Sequence, residues 1–345
     1  MNYKLYFFCY FAAQMKIIYL KEPFLEPTPC VATIGMFDGV HQGHRFVIDR
    51  LKQEAKQCRL PACVVTFDRH PRQVLQPDWQ PQLLSTLDEK LLLLSLTGID
   101  QCVVLTFTKE MAHLPAYDFM QQVLKKQIGV KTLLTGYDNH FGHRTPGQQT
   151  GFDDYLRYGK ELGIEVKSLP PTPAQPGSND HLLKKNHEDR QVTNSSLIRR
   201  LLTEGRIEEA NDCLGHPYTV TGTVVSGQHI GTEIGFPTAN LQPDDPCKLI
   251  PANGVYAVKV RLESSLEQKH AMTNIGHRPT FNGQQTTLET HILHHEGKLY
   301  GQSMTVSFIH RLRDEQRFDT PEELVEQLRQ DAQNAEERLN QDIKA

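Results

Sequence analysis

The sequence predicts two domains in series: an α/β domain built on a parallel sheet, then an antiparallel β-barrel domain with a C-terminal helix. Three observations carry this. The chain has 345 residues, about twice a typical domain of roughly 150. From Cys30 to about Ser168 short apolar strands alternate with amphipathic helices, which implies a parallel sheet covered on both faces. From Tyr218 the pattern turns to β-branched and aromatic runs, and a helix from Pro321 to about Asp342 closes the chain.

In chain order, residues 1–14 are expected to be a non-native extension from a misplaced start codon. The apolar run Leu5 to Ala13 is too short to span a bilayer, and Lys16 to Leu20 after Met15 reads as a first strand. Val31 to Gly35, Ala62 to Phe67, Cys102 to Phe107, Val130 to Gly136 and Ile164 to Ser168 are short apolar runs bounded by turn residues, hence strands. Thr86 followed by Glu89 is a capping box ahead of Leu91 to Leu96, and Gly98 suits the left-handed C-terminal position. Pro115 is expected at the first position of the next helix, with Phe119, Val123 and Leu124 on one face and Gly129 at its end. The proline-rich and charged stretch Pro170 to Thr193 reads as a long loop. Ser195 to Leu202 and Ile207 to Leu214 are short helices separated by Gly205. The expected strands of the second half are Tyr218 to Val225, Val255 to Arg261, Thr287 to Leu293 and Met304 to Ile309, with Asn282-Gly283 as a hairpin turn. The domain boundary is placed at residue 204, giving domains 15–204 and 205–345.

Composition excludes several classes. Lys plus Arg total 37 against 41 for Asp plus Glu, a net charge of -4, so neither nucleic acid nor a membrane is an expected partner. Seven cysteines without a C-x-x-C pair indicate a reduced cytoplasmic protein with neither a disulfide framework nor a zinc site.

Two constellations carry chemistry. Gly35-Met36-Phe37-Asp38-Gly39-Val40-His41-Gln42-Gly43-His44 follows a predicted strand and opens a helix, where a phosphate can rest on free N–H groups. Gly35, Gly39 and Gly43 permit close approach, and His41 and His44 can donate to phosphate oxygens. A glycine-rich strand-to-helix turn is generic to α/β proteins, but the whole string is not. In the second half Gly227, Gly231 and Gly235 lead into Phe236-Pro237-Thr238-Ala239-Asn240. Glycines there can wrap phosphates, and Thr238 and Asn240 offer the hard oxygens that Mg2+ prefers. The Walker A pattern is absent.

The first string resembles the H-x-G-H nucleotidyltransferases and, in full, the adenylyltransferase module of bacterial FAD synthetases. The resemblance extends through Thr66-Phe67-Asp68-Arg69-His70-Pro71, Gly136-Tyr137-Asp138 with Phe141-Gly142, and Ser195-Ser196-Leu197-Ile198-Arg199. It implies a Rossmann-like fold in which His41, His44, Ser195, Ser196 and Arg199 serve the ATP phosphates. Gly35, Phe37, Asp38 and Gly43 shape the nucleotide pocket, and His70, Pro71, Asp138 and Phe141 lie near the flavin. Gly235 to Leu241 is similar to the riboflavin kinase signature. So are Gly254 to Ala257, Asn274-Ile275-Gly276, Leu288-Glu289-Thr290-His291 and Leu312-Arg313 with Phe318-Asp319. That resemblance implies Thr238 and Asn240 as ligands of Mg2+ or another divalent cation and of ATP, with Gly227, Gly231 and Gly235 around it. It also implies Glu289 as the base that deprotonates the ribityl 5'-hydroxyl.

Together these imply a bifunctional riboflavin kinase and FAD synthetase with riboflavin, FMN, FAD and ATP as partners, and leave room for a transient homo-oligomer. Asn194, Leu197, Thr145 beside Arg144, and Thr232 depart from the usual patterns. The departures at Asn194, Leu197 and Arg144 keep open a monofunctional kinase with an inactive nucleotidyltransferase module, and a flavin-binding regulator stays open beside it.

Overall fold

The computed structural model describes residues 15–20, 27–76, 78–136, 141–142, 151–169, 193–227, 231, 234–265, 267–280 and 283–341. The chain divides into two compact units, one running from Ser195 onward and taking in Gln82–Leu84, the other made of the preceding chain.

The first unit is a six-stranded parallel sheet in the order β1-β4-β3-β2-β5-β6. Its strands are β1 (Lys16–Leu20), β2 (Cys30–Ile34), β3 (Ala62–Phe67), β4 (Gln101–Leu105), β5 (Val130–Gly136) and β6 (Glu165–Leu169). Each of the five strands expected between Cys30 and Ser168 is present, two with the expected ends and three with ends moved by one or two residues. Every residue of β2 is buried, as a central strand covered on both faces requires. Alternate residues feed two cores. Ala32, Ile34, Cys63 and Val65 pack with Phe119, Leu124 and Tyr155, whereas Val31, Val64 and Val104 pack with Ile48, Leu51, Leu91 and Leu94. The chain leaves β2 for β3 and β4 and later returns to its other flank as β5 and β6. The order therefore reverses at β2, and the loop after it occupies the crevice where such sheets bind ligands.

Helix α1 is Gln42–Cys58, α2 is Pro71–Leu75 and α3 is Leu87–Ser95. The predicted capping box on α3 is present: Thr86 Oγ1 accepts from Glu89 N at 3.2 Å, and Glu89 Oε2 from Thr86 N at 2.9 Å. Pro115 proves to be the cap of the helix Ala116–Phe119, rather than its first residue. That helix continues as a wider π-type segment over Met120–Ile128, which periodicity alone did not anticipate, and Gly129 ends it at φ 90°.

The second unit is a closed barrel in the order β10-β11-β8-β7-β12-β9, from β7 (Tyr218–Val225), β8 (Ala239–Pro243), β9 (Gly254–Leu262), β10 (Gln268–Thr280), β11 (Gly283–Ile292) and β12 (Ser303–Arg313). Strands β8 and β10 were not among the expected ones. Their glycines, proline and polar residues blur the two-residue alternation, and barrel closure supplies what propensity does not. The expected hairpin joins β10 to β11 and is closed by the pair Thr280–Gly283, so Gly283 opens β11, and Asn282 lies outside the described residues. The boundary moves from residue 204 to Asn194/Ser195. The helix Ser195–Thr203 buries Ile198, Leu201 and Leu202 in the barrel core, so it belongs with the barrel. Gln82–Leu84 joins it as well: Leu83 N donates to Cys247 O at 2.8 Å and Lys248 Nζ to Leu84 O at 2.6 Å. A helix over Pro321–Gln341 covers Ala257 and Met272 with Ala335 and Leu339.

Candidate active sites

The loop after β2 is held in a conformation its residues would not choose. Phe37 and Val40 have φ of 50° and 40°, and Gly39 lies between them at 76°. Positive φ at a β-branched residue such as Val40 costs on the order of 1–3 kcal/mol, so the surroundings must hold it. Ser85 does part of this. Its N–H and hydroxyl donate to Asp38 Oδ1 at 3.0 and 3.3 Å, and Gly39 N donates to Ser85 Oγ at 2.9 Å. Asp38, expected to shape the nucleotide pocket, anchors this loop through Ser85.

His41 caps α1, with Nδ1 accepting from His44 N at 3.4 Å. In the neutral tautomer this bond fixes, the His41 proton is on Nε2. The two imidazoles stack at 3.7 Å and 18°, and Phe37 lies 5.1 Å from the His44 ring. Burial, then the neighbouring His41 and Lys90, push the His44 pKa well below the usual histidine range, so it is neutral at pH 7. Its Nδ1 is buried and finds no hydrogen-bond partner among the described residues. A Cβ on Gly43 would come within 3.1 Å of the His41 ring, and one on Gly35 within 3.2 Å of Phe37, so both glycines let the rings close in. Neutral imidazole donors at a helix N-terminus suit a phosphate whose negative charge grows during displacement.

Lys90 was not among the expected site residues. It is 5% exposed, and its ammonium donates to Met36 O at 3.3 Å and Phe67 O at 2.8 Å. Burial lowers its pKa to about 8, against the opposing pull of Asp38. The signal was present in the sequence: with Leu87, Leu91 and Leu94 it completes the apolar stripe of α3, a core position occupied by a charge.

The remaining expected residues of this half are dispersed in role. His70 and Pro71 start α2, where His70 Nδ1 accepts from Arg72 N at 3.1 Å and its N–H donates to Gln73 at 2.8 Å. Phe141 stacks on Tyr155 at 4.3 Å, exchanging hydrogen bonds with its hydroxyl. Asp138 lies outside the described residues, as do Arg144, Thr145 and Thr232. Ser195, Ser196 and Arg199 fall in the barrel unit, where Arg199 Nε donates to Gln82 O at 2.7 Å. Leu197 packs against the barrel core, a physical reason for an apolar residue there.

In the barrel, Asn240 on β8 pairs with Glu289 on β11, which pairs with Asn274 on β10. Their neighbours Ala239, Leu241, Leu288, Thr290, Thr273 and Ile275 are buried, so the three polar side chains share the outer face. Facing residues on paired strands have Cβ atoms about 4.5–5.5 Å apart, which places amide and carboxylate side by side. A Cβ at Gly227 would collide with the Asn240 amide, and one at Gly231 with Phe236 O while lying 3.4 Å from Thr238 Oγ1. The glycines thus form a close-fitting cradle around the two oxygen-bearing side chains, and Gly235 turns the chain toward them at φ 84°. His291 Nδ1 donates to Pro237 O at 2.9 Å, fixing the loop ahead of Thr238. An open cavity of about 650 Å3 adjoins it, lined by Gly235, Pro237, His291, Ile292, His294, His295 and Glu296. Arg313 grips Asp331 on the C-terminal helix through Nε at 3.0 Å and Nη2 at 2.7 Å.

Residues 24–178 match a family model described as FAD synthetase, and residues 214–339 one described as riboflavin kinase. A bifunctional riboflavin kinase/FMN adenylyltransferase from Haemophilus influenzae is 34% identical over 311 residues, 90% of this chain and 94% of its own. The chain belongs to the bifunctional riboflavin kinase/FMN adenylyltransferase family. Another member, from Listeria monocytogenes, is 35% identical over 326 residues, 93% of this chain and 97% of its own. A crystal structure described as a macrolide-efflux protein from Streptococcus pneumoniae shares the fold over 93% of this chain and 98% of its own, with TM-score 0.79 and 29% identity. Among the described residues no helix is long and apolar enough to cross a membrane.

Proposed function

We propose that the barrel unit phosphorylates riboflavin to FMN with ATP and the α/β unit adenylylates FMN to FAD, releasing pyrophosphate. Family membership over nearly the whole chain favours both activities over a monofunctional kinase or a flavin-binding regulator.

The observation that carries the kinase assignment is the register that sets Asn240 beside Glu289 with Gly227 flush against the Asn240 amide. Glu289 accepts the proton of the ribityl 5'-hydroxyl as that oxygen attacks the γ-phosphate, since a primary alcohol is a weak nucleophile without a base. Thr238 and Asn240 hold the ATP phosphates, and the nucleoside extends into the cavity beside Pro237 and His291. The Thr238 hydroxyl and the Asn240 side-chain amide, with the glycines close around them, would suit Mg2+ or a similar cation. When bound, such an ion neutralises phosphate charge.

In the other unit the FMN phosphate attacks the α-phosphate of ATP, and pyrophosphate leaves. His41 and His44 donate to the phosphate oxygens, and the glycines of the loop admit the nucleotide. No protein nucleophile is required. His70, Pro71, Asp138 and Phe141 remain the expected flavin contacts. Ser195, Ser196 and Arg199 remain expected ATP contacts. The net charge of -4 supports small-molecule substrates over nucleic acid or a membrane surface, and seven cysteines without a C-x-x-C pair support a cytoplasmic location.

The test is chromatographic separation of flavins during incubation of the purified protein with riboflavin, ATP and MgCl2. FMN followed by FAD is expected. FMN alone would leave a monofunctional kinase, and no turnover by folded protein would leave a binding protein.

A further inference from the structure

The strained loop that carries His41 and His44 is clamped from one element, and the clamp includes a buried charge. Ser85, just ahead of α3, grips Asp38 and Gly39. Lys90, inside α3, reaches Met36 O at 3.3 Å, an oxygen that also accepts from Thr66 Oγ1 at 3.2 Å, and Phe67 O at 2.8 Å. Met36 directly follows Gly35 at the mouth of β2, and Phe67 ends β3. One ammonium therefore ties the carboxyl ends of two adjacent strands at the point where the sheet order reverses.

We propose that Lys90 is a positioning residue for adenylyl transfer, setting the loop from Gly35 to His44 against the ends of β2 and β3 so that both imidazoles meet the nucleotide phosphates in reactive geometry. Three observations converge on this. A helix stripe of leucines is interrupted by a charge at a core position, where an apolar residue would pack without desolvation cost. Both hydrogen-bond acceptors are backbone carbonyls at the ligand-binding end of the sheet, while Asp38 and Asp68 act on the ammonium through their fields, so the bonds it makes hold backbone. Its field also reaches His44, where it helps keep the imidazole neutral. Backbone displaced by even 1 Å in a site that works by positioning costs about 100-fold in rate.

The proposal rests on the adenylyltransferase assignment, and the experiment separates the two. Wild type, Lys90→Met and Thr66→Val are assayed for FAD formation from FMN and ATP, with riboflavin phosphorylation by the same preparations as an internal control. Lys90→Met is expected to lower kcat for FAD formation at least 10-fold with KM for ATP changed less than about 3-fold. Thr66→Val, which leaves the Lys90 clamp on both carbonyls, is expected to lose less than Lys90→Met. Kinase turnover should be unchanged in both. Unaltered kcat in Lys90→Met, or a loss confined to KM, overturns the positioning role. If Lys90→Met fails to fold, Lys90→Gln, which keeps a polar side chain at the buried position, carries the test: kcat for FAD formation within about 3-fold of wild type overturns the proposal, and a larger loss of kcat with KM for ATP changed less than about 3-fold supports it. Absence of FAD formation in wild type would instead overturn the assignment on which the proposal rests.

Discussion

Asp331 is the place where the barrel is most exposed to a single change. Its carboxylate is 1% exposed and accepts Arg313 Nε at 3.0 Å, Arg313 Nη2 at 2.7 Å and Gln327 Nε2 at 2.9 Å. Asp331→Ala would leave the Arg313 guanidinium, only 17% exposed, without its counter-charge. Breaking a buried pair from one side costs about 3–5 kcal/mol. For a unit of this size each kcal/mol lowers Tm by roughly 2–4 °C, so a drop of roughly 6–20 °C is expected. Replacing both partners, Arg313→Met with Asp331→Leu, removes the desolvation of both charges together and should cost less than the single change. Calorimetry of the full chain reads both variants. Trp79, the single tryptophan, lies in the other unit, and its fluorescence transition should stay in place. A Tm shift below about 2 °C for Asp331→Ala, or a double variant as unstable as the single one, would refute the reasoning.

Three further outcomes are expected. Glu289→Gln should lower FMN formation by about 100-fold or more while FAD formation from supplied FMN persists, and equal loss of both would refute its role as a base in the barrel. Gly227→Ala should cut kinase kcat by about 10-fold or more because its Cβ meets the Asn240 amide, whereas Gly235→Ala, whose Cβ meets nothing within 4 Å among the described residues, should be limited to the strain of φ 84°. Equal losses at the two glycines would count against the cradle. Lys90 titrates at about 8 when folded and near 10.4 when unfolded, so the unfolded chain binds the extra proton between those values. Wild-type stability relative to Lys90→Met should therefore rise as pH climbs from about 8 to about 10, by up to ~3 kcal/mol, and fall back as pH returns to 8. Urea titrations followed by Trp79 fluorescence at several pH values check this, and parallel curves for the two proteins would contradict it.

Local signals in the sequence determined the elements whose causes are local. Strand and helix alternation gave the parallel sheet, and Thr86 with Glu89 marked the start of α3 through hydrogen bonds between residues three apart. Gly129 and Gly98 marked ends that need left-handed backbone. The motif strings likewise put His41 and His44 together, because a strand-to-helix turn brings residues three apart to one side.

Tertiary structure alone decided the rest, because the energies involved are set by partners distant in the chain. Nothing local pairs Asn240 with Glu289; closing the barrel fixes that register, and with it the outer face they share. Strands β8 and β10 have weak alternation of their own and owe their state to strands on either side. The helix Ser195–Thr203 joined the barrel because its apolar face finds Tyr218 and Phe308 in one core, a choice its own periodicity does not contain. Val40 could hold a positive φ only because Ser85, Lys90 and Thr66 hold the loop around it, and that mutual support exists only once the chain has folded.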